Sequence, residues 1–200
     1  MSLEKKLIGI EKKTISVVQS LQDRVTDIDV KNADPIAIGI NAGQTSQNTN
    51  SIAIGYDAGK TNQKEFSVAI GSSAGFVSQS NASVAIGPST GSVSQNNFCV
   101  AVGANAAQYN QGNQSVAIGA NAGNTSQGIH SVSVGPLSGT SNQGDESVAI
   151  GYNAGNSNQN SYTVAIGNHS GVNTQGSYST SVGNFAGYNN QSNYCVAVGN

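Results

Sequence analysis

The side chains that most often carry out chemistry are few in this chain and stand apart from one another. Glycine recurs every sixteen residues along most of the chain, and the two histidines, His130 and His169, fall at different positions of that period. They therefore form no pair for a metal ion or a nucleophile. Asp145 and Glu146 are an isolated acidic pair, which is typical of a solvated corner. Glycines recur at every period, and only Gly59 is directly followed by a lysine, Lys60, so the glycines do not form a phosphate-binding loop. The sequence therefore predicts no catalytic, cofactor-binding or metal site.

The two cysteines, Cys99 and Cys195, occupy the same position of that spacing, six periods apart. If each period is one stacked turn of about 4.8 Å, the two thiols lie ~29 Å apart, which is far beyond disulfide reach. We expect each cysteine to replace a small serine and to behave as a small buried hydrophobe.

The spacing itself is the dominant feature of the chain. Eleven glycines, here called the repeat glycines, stand sixteen residues apart without a slip and are predicted to lie at corners: Gly39, Gly55, Gly71, Gly87, Gly103, Gly119, Gly135, Gly151, Gly167, Gly183 and Gly199. A fixed period without insertion is typical of a chain in which every turn stacks on the one before.

Each repeat glycine ends a short run that alternates β-branched with small residues, as in Ser-Val-Ala-Ile-Gly at 115–119. Such period-two alternation predicts a strand, and because neither face carries charge we expect both faces to be buried. The predicted structural core is the residue directly before each repeat glycine, which is always isoleucine or valine: Ile38, Ile54, Ile70, Ile86, Val102, Ile118, Val134, Ile150, Ile166, Val182 and Val198.

A corner and a more polar strand follow each repeat glycine. Four residues after it stands a second glycine, which only Ala107 replaces, and asparagine is frequent between the two. This pattern predicts a tight corner with positive φ. A glutamine then stands eight residues after the repeat glycine in every turn: Gln47, Gln63, Gln79, Gln95, Gln111, Gln127, Gln143, Gln159, Gln175 and Gln191. These glutamines either form an amide ladder between turns or cap a corner by bonding to local backbone; the sequence favours neither.

Two short strands and two corners in sixteen residues make one turn of a β-solenoid. We therefore predict an all-β fold, a parallel β-roll or β-solenoid of about eleven 16-residue repeats over residues 34–200. Ten intervals give a rod of roughly 50 Å at the spacing of adjacent strands. One turn offers only about four apolar side chains to an interior, so we expect the chain to be one protomer of an oligomer.

Residues 1–33 differ sharply in composition, since they hold eleven of the eighteen charged side chains. Apolar residues recur at spacings of three and four over residues 3–30, which predicts an N-terminal α-helical coiled coil that trimerises the chain. The alternative is a single amphipathic helix packed on its own solenoid.

Charge and hydropathy exclude several partners. A net charge of −2 gives no electrostatic basis for binding nucleic acid. No apolar stretch is long enough to span a membrane, and the N-terminus of the chain as given lacks the apolar segment of a secretory signal peptide.

The motif Ser-Val-Ala-Ile-Gly, followed by a small residue and a second glycine, resembles the head repeat of trimeric autotransporter adhesins over residues 35–199. The resemblance to this YadA-like head implies a left-handed parallel β-roll wound by three chains side by side. It also implies that valine and isoleucine fill each coil, while the alanine and serine columns face the trimer interior. The chain departs from the family in its slightly longer turn, in its regular glutamine column and in having the coiled coil before the roll.

Glutamine- and glycine-rich versions of this repeat also resemble fibre proteins of large DNA viruses and phages, which need neither a signal peptide nor a membrane anchor. We therefore expect a non-enzymatic homotrimeric fibre on a virion surface or tail, presenting a host-attachment surface to an unknown receptor or particle component. The alternative is the head of a bacterial trimeric autotransporter adhesin. An ice-binding solenoid is less favoured, because Val77, Tyr109 and Asn173 interrupt the threonine column that it would need.

Five aromatic residues share the position five before the repeat glycine: Phe66, Phe98, Tyr162, Tyr178 and Tyr194. They predict either packing at the edge between neighbouring chains or an exposed contact stripe. The sequence favours the packing role.

Overall fold

The computed structural model describes residues 13–16 and 35–199, and the chain divides into two units, residues 1–33 and 34–200. In the first unit, residues 13–16 are helical and exposed. The rest of the predicted coiled coil lies outside the described residues, so its role in trimerisation stays a prediction.

The second unit contains two parallel sheets of three-residue strands. Sheet A has eleven strands: β1 (Ile36–Ile38), β2 (Ile52–Ile54), β3 (Val68–Ile70), β5 (Val84–Ile86), β7 (Val100–Val102), β9 (Val116–Ile118), β11 (Val132–Val134), β13 (Val148–Ile150), β15 (Val164–Ile166), β17 (Thr180–Val182) and β19 (Val196–Val198). Sheet B has eight: β4 (Val77–Gln79), β6 (Val93–Gln95), β8 (Tyr109–Gln111), β10 (Thr125–Gln127), β12 (Ser141–Gln143), β14 (Ser157–Gln159), β16 (Asn173–Gln175) and β18 (Asn189–Gln191).

Every strand pairs with the strand sixteen residues further along. Val116 lies opposite Val132 in sheet A, and Gln127 lies opposite Gln143 in sheet B. Identical positions therefore stack on one another along the whole unit. The prediction of an all-β, parallel β-solenoid with 16-residue turns is confirmed.

The corner after each repeat glycine has the positive φ angles that its residues favour. Gly119, Asn121 and Gly123 have φ of 126°, 57° and 52°, and the amide of Ala122 donates to the carbonyl of Gly119 at 3.2 Å. Asparagine and glycine tolerate this left-handed region better than other residues do. The chain can therefore reverse direction between sheet A and sheet B within five residues.

The interior of each coil holds small residues and glutamine. Alanines two residues before the repeat glycine, such as Ala101 and Ala117, are fully buried, as are the serines four residues before it. The interior is narrow at the corner, where a Cβ added at Gly75 would lie 3.2 Å from the Cβ of Ala69. It accepts alanine, serine, glutamine and, at Thr163, a threonine, while the isoleucines and valines of sheet A lie outside it.

This arrangement reverses the expected core. The residues directly before the repeat glycines point out of the coil and none of them is buried: Ile38, Ile54, Ile70, Ile86, Val102, Ile118, Val134, Ile150, Ile166, Val182 and Val198. Nor do the alanine and serine columns face outward, because they fill their own coil. The alternation of the strand is as predicted, but its small-residue face is the inner one.

The repeat glycines also allow successive turns to approach closely. A Cβ at Gly103 would lie 2.8 Å from the carbonyl carbon and oxygen of Gly119, and its φ of 124° lies in a region that only glycine adopts readily. The second glycine of the corner is less demanding: Ala107 occupies that position with a φ of 46°.

We expect Gly103→Ala to destabilise the solenoid by roughly 2–4 kcal/mol, since it adds backbone strain and a clash with the next turn. The matched control is Gly91→Ala, at the position that Ala107 occupies in the next turn. Its added methyl would lie 2.9 Å from Gln95 Oε1 and 3.2 Å from the Ala85 Cβ. Because Ala107 shows that this position accepts a methyl, we expect a smaller loss than for Gly103→Ala. Urea denaturation at a fixed protein concentration measures both. Equal losses would show that the close approach of the repeat glycines does not limit stability.

Candidate functional site

An apolar surface runs along the outer side of sheet A. We call it the outer apolar face and define it by the residues one and three before each repeat glycine. Ile118 is 40% exposed there and Val198 is 77% exposed. Tyr56 and Tyr152, one residue after their repeat glycines, are also exposed and continue the apolar character toward the corner. An apolar face that extends over the eleven strands of sheet A is typical of an interaction surface.

The outer side of sheet B has the opposite character. Its exposed positions carry mainly serine, threonine and asparagine, and neighbouring turns bond through them: Asn142 Nδ2 donates to Asn158 Oδ1 at 3.2 Å, and Asn173 Nδ2 donates to Asn189 Oδ1 at 2.7 Å. This face is polar and uncharged. It requires no apolar partner.

The glutamine column lies inside the coil, where both roles considered for it occur together. Gln79 is fully buried, and its Nε2 donates to the carbonyls of Val68 at 2.8 Å and Ser83 at 3.0 Å. The same Nε2 lies 3.1 Å from Oε1 of Gln95 in the next turn. Each such carboxamide thus satisfies the backbone of sheet A and joins two turns.

The ladder runs in three segments. In the first, Gln63, Gln79 and Gln95 each donate to the following glutamine, and the last donates to Gln111 at 3.0 Å. The other two segments begin at Gln127 and Gln159. At the start of each segment the Oε1 has no donor: Gln63, Gln127 and Gln159. Hydrogen bonds along the ladder therefore point in one direction, toward the C-terminal end.

Two serines that replace alanine extend the later segments. Ser133 accepts from Gln127 Nε2 at 3.4 Å and donates to Gln143 Oε1 at 2.6 Å. Ser181 accepts from Gln175 in the same way and donates to the glutamine of the following turn. The two exceptions in the alanine column thus place a hydroxyl between successive carboxamides, which the sequence pattern did not reveal.

The aromatic column, defined as the residues five before each repeat glycine, is exposed at one corner. Tyr162 and Tyr178 stack with ring centroids 4.8 Å apart, and Tyr178 and Tyr194 stack at 5.1 Å, with interplanar angles of 4° and 2°. Rings in neighbouring turns therefore pack face to face along the solenoid.

The reactive side chains do not converge. Cys99 and Cys195 are both free, and burial raises the pKa of the Cys99 thiol, whose Sγ lies 2.9 Å from the carbonyl oxygen of Gly112. His130 is exposed, and His169 stacks on Phe185 with ring centroids 4.9 Å apart.

One ion pair links Asp57 to Lys60 at 3.0 Å. A hydrogen bond from Asn41 Nδ2 to Asp57 Oδ1, at 2.9 Å, holds the pKa of that carboxyl below its usual value, and Lys60 lowers it further. The ion pair lies in the corner of one turn, and the hydrogen bond from Asn41 joins that corner to the turn before.

Within residues 13–16 and 35–199, no three histidine, cysteine or acidic side chains gather in a way that could hold a metal ion. A search of the same residues finds no helix with the length and hydropathy needed to cross a bilayer.

In a comparison with models of known protein families, two stretches of the chain match the YadA head domain repeat: residues 111–122 and 126–154. No curated protein and no solved structure matches the chain. The fold and the match together define the chain as a parallel β-solenoid protein with YadA-like head repeats. Such repeats suggest an adhesive fibre of the trimeric autotransporter head type, exposed on an extracellular surface.

We expect Gln95→Leu to lower the free energy of unfolding by about 2–5 kcal/mol, because it removes the side-chain bond to the Val84 carbonyl and leaves Gln111 Oε1 without its donor in the interior. Gln114→Leu is the matched control, since Gln114 is exposed and the same change there should cost no more than about 0.5 kcal/mol. Urea denaturation of both variants compares them. Equal stability would contradict a structural role for the ladder.

Proposed function

We propose that the chain is a non-enzymatic homotrimeric fibre protein whose three copies pack through the outer apolar face. The observation that carries the proposal is the isoleucine and valine column, which one chain leaves half-buried or exposed in every turn from Ile38 to Val198. Covering the exposed part of each side chain contributes a fraction of the about 1.5–3 kcal/mol that full burial gives. The match to YadA head repeats, whose heads are trimeric, supports three copies rather than two.

Packing through sheet A leaves a defined surface for attachment. The polar outer face of sheet B and the corners would then face solvent on all three sides of the fibre. The same groups recur every sixteen residues and on each chain, so weak contacts at many positions would add up by multivalency. The fibre would hold this surface away from the body that carries it.

Of the two settings for such a fibre, we propose a virion surface or tail fibre that attaches to a host receptor. The regular glutamine column and the predicted N-terminal coiled coil, which both depart from the adhesin pattern, support this choice. The head of a bacterial surface adhesin is the alternative. Immunogold electron microscopy with antibodies to the solenoid distinguishes them, because label on bacterial envelopes and none on virus particles would contradict the virion proposal.

We expect Ile118→Asp to dissociate the trimer, since three carboxylates would be brought together without partners at the interface. Light scattering after size exclusion should show a mass of three chains for the natural protein and one chain for the variant. Ser126→Asp, on the outer face of sheet B in the same turn, is the matched control and should remain trimeric. His130→Ala should also leave the mass unchanged.

Two results would contradict the proposal. A natural chain that is folded and monomeric would show that the outer apolar face has no copy of the chain as its partner. An Ile118→Asp variant that keeps the trimer and its melting temperature would place the interface elsewhere.

A further inference from the structure

The tyrosines of the aromatic column show how rings pack along this solenoid. Tyr178 lies between Tyr162 and Tyr194 with its ring parallel to both, at centroid distances of 4.8 and 5.1 Å. All three residues have positive φ, between 58° and 63°. This backbone conformation recurs at the same corner of other turns, so the column sets one ring position per turn.

Near the other end of the solenoid the same column lacks its middle ring. Phe66, Ala82 and Phe98 occupy three successive turns with φ of 57°, 52° and 58°, as the tyrosines do. The amide of Ala82 donates to the carbonyl of Glu65 at 3.0 Å, and the amide of Phe98 donates to that of Asn81 at 3.0 Å. Their backbones are therefore stacked in register, and only the ring between the two phenylalanines is missing.

The dimensions of this gap, which we call the phenylalanine notch, fit one flat ring. Two turns separate Phe66 from Phe98, which places their rings about 10 Å apart at the strand spacing. A ring inserted over Ala82 would lie at about 5 Å from each, within the range that aromatic pairs prefer. Both phenylalanines are exposed, by 60% and 61%, so the notch is open to solvent.

Polar and charged groups surround the notch. Lys64 and Glu65, which directly precede Phe66, are exposed, and Asn81 beside Ala82 is exposed as well. Lys64 and Glu65 carry charges of opposite sign beside the notch, whereas Asp57 and Lys60 of the same turn lie in the other corner, where they pair with each other. An apolar centre with a polar rim is the arrangement that receives an aromatic anchor residue at a protein interface.

We propose that the phenylalanine notch binds one aromatic side chain of a partner protein, with its ring held between Phe66 and Phe98 over Ala82. The adjacent charges of both signs would contact the polypeptide that carries the ring, which favours a protein over a free hydrocarbon. The role of the notch in attachment rests on the proposed fibre function. Binding of the ring itself requires only the solenoid.

The test uses the full-length protein and N-acetyl-tryptophanamide as the probe, with N-acetyl-leucinamide as the aliphatic comparison, in saturation-transfer NMR. We expect the tryptophan probe to bind and the leucine probe to give a much weaker signal. Ala82→Tyr should supply the missing ring, as Tyr178 does in its ladder. It should weaken probe binding about tenfold or more through the two lost ring contacts and raise the melting temperature.

A second variant tests whether a gap of this kind is sufficient. Tyr178→Ala opens the same gap between Tyr162 and Tyr194, and the variant should gain a second binding site for the tryptophan probe. Gln114→Tyr is the matched control for Ala82→Tyr, because it adds a ring on the far side of Phe98 and leaves the notch open. It should bind the probe as the natural protein does.

Three outcomes would overturn the notch: no binding of the tryptophan probe, equal binding of the leucine probe, or undiminished binding by Ala82→Tyr. A notch already filled by a second copy of the chain would give the first outcome. The mass of the same sample, measured by light scattering, distinguishes failure of the notch proposal from failure of the proposed fibre function. A monomer that binds the probe overturns the fibre alone, and a trimer that does not bind it overturns the notch alone.

Discussion

The hydrogen bonds of one buried carboxamide per turn hold the two sheets of this solenoid together. Gln79 occupies the space that an aliphatic core would fill in a wider protein, and it bonds to two backbone carbonyls and to Gln95. Because Gln79 is fully buried, its hydrogen bonds are electrostatically stronger and costlier to leave unmade than those of a carboxamide at a surface. The other interior residues are mainly alanine and serine. They are small enough for the two sheets to lie within reach of one glutamine side chain.

The same narrowness explains why the chain has an apolar exterior. The isoleucines and valines of sheet A are too large for a coil in which an added Cβ at Gly75 would lie 3.2 Å from the Cβ of Ala69, so they lie on the outer apolar face. A single chain therefore has an interior of small residues and glutamine, while its large aliphatic side chains lie on one outer face, unlike those of an ordinary globular protein. Such a chain is stabilised by covering that surface, and the proposed trimer does so with copies of itself.

Because the turns are nearly identical, a residue that departs from the usual type at its repeat position indicates a local difference in structure. Ser133 and Ser181 break the alanine column, and each relays a hydrogen bond between successive glutamines. Ala82 lies between Phe66 and Phe98 in the aromatic column and leaves a gap the size of one ring. Four of the six charged residues within 35–199 lie in the turn before it. Both kinds of exception are visible in the sequence, but their meaning depends on what the stacked turn places beside them.

The sequence by itself determined the period, the two strands, the corners and the parallel stacking. Those features follow from spacing and from residues with strict backbone preferences, such as the repeat glycines. It did not determine which face of the strand is the interior. Alternation shows that Ile118 and Ala117 point to opposite sides, yet neither side carries charge, so pattern alone left the direction open. It also did not reveal the positive φ of Ser126 within β10, because serine permits that conformation without requiring it. The tertiary structure decided both points through the narrow space between the two sheets, which small residues and a glutamine carboxamide fill.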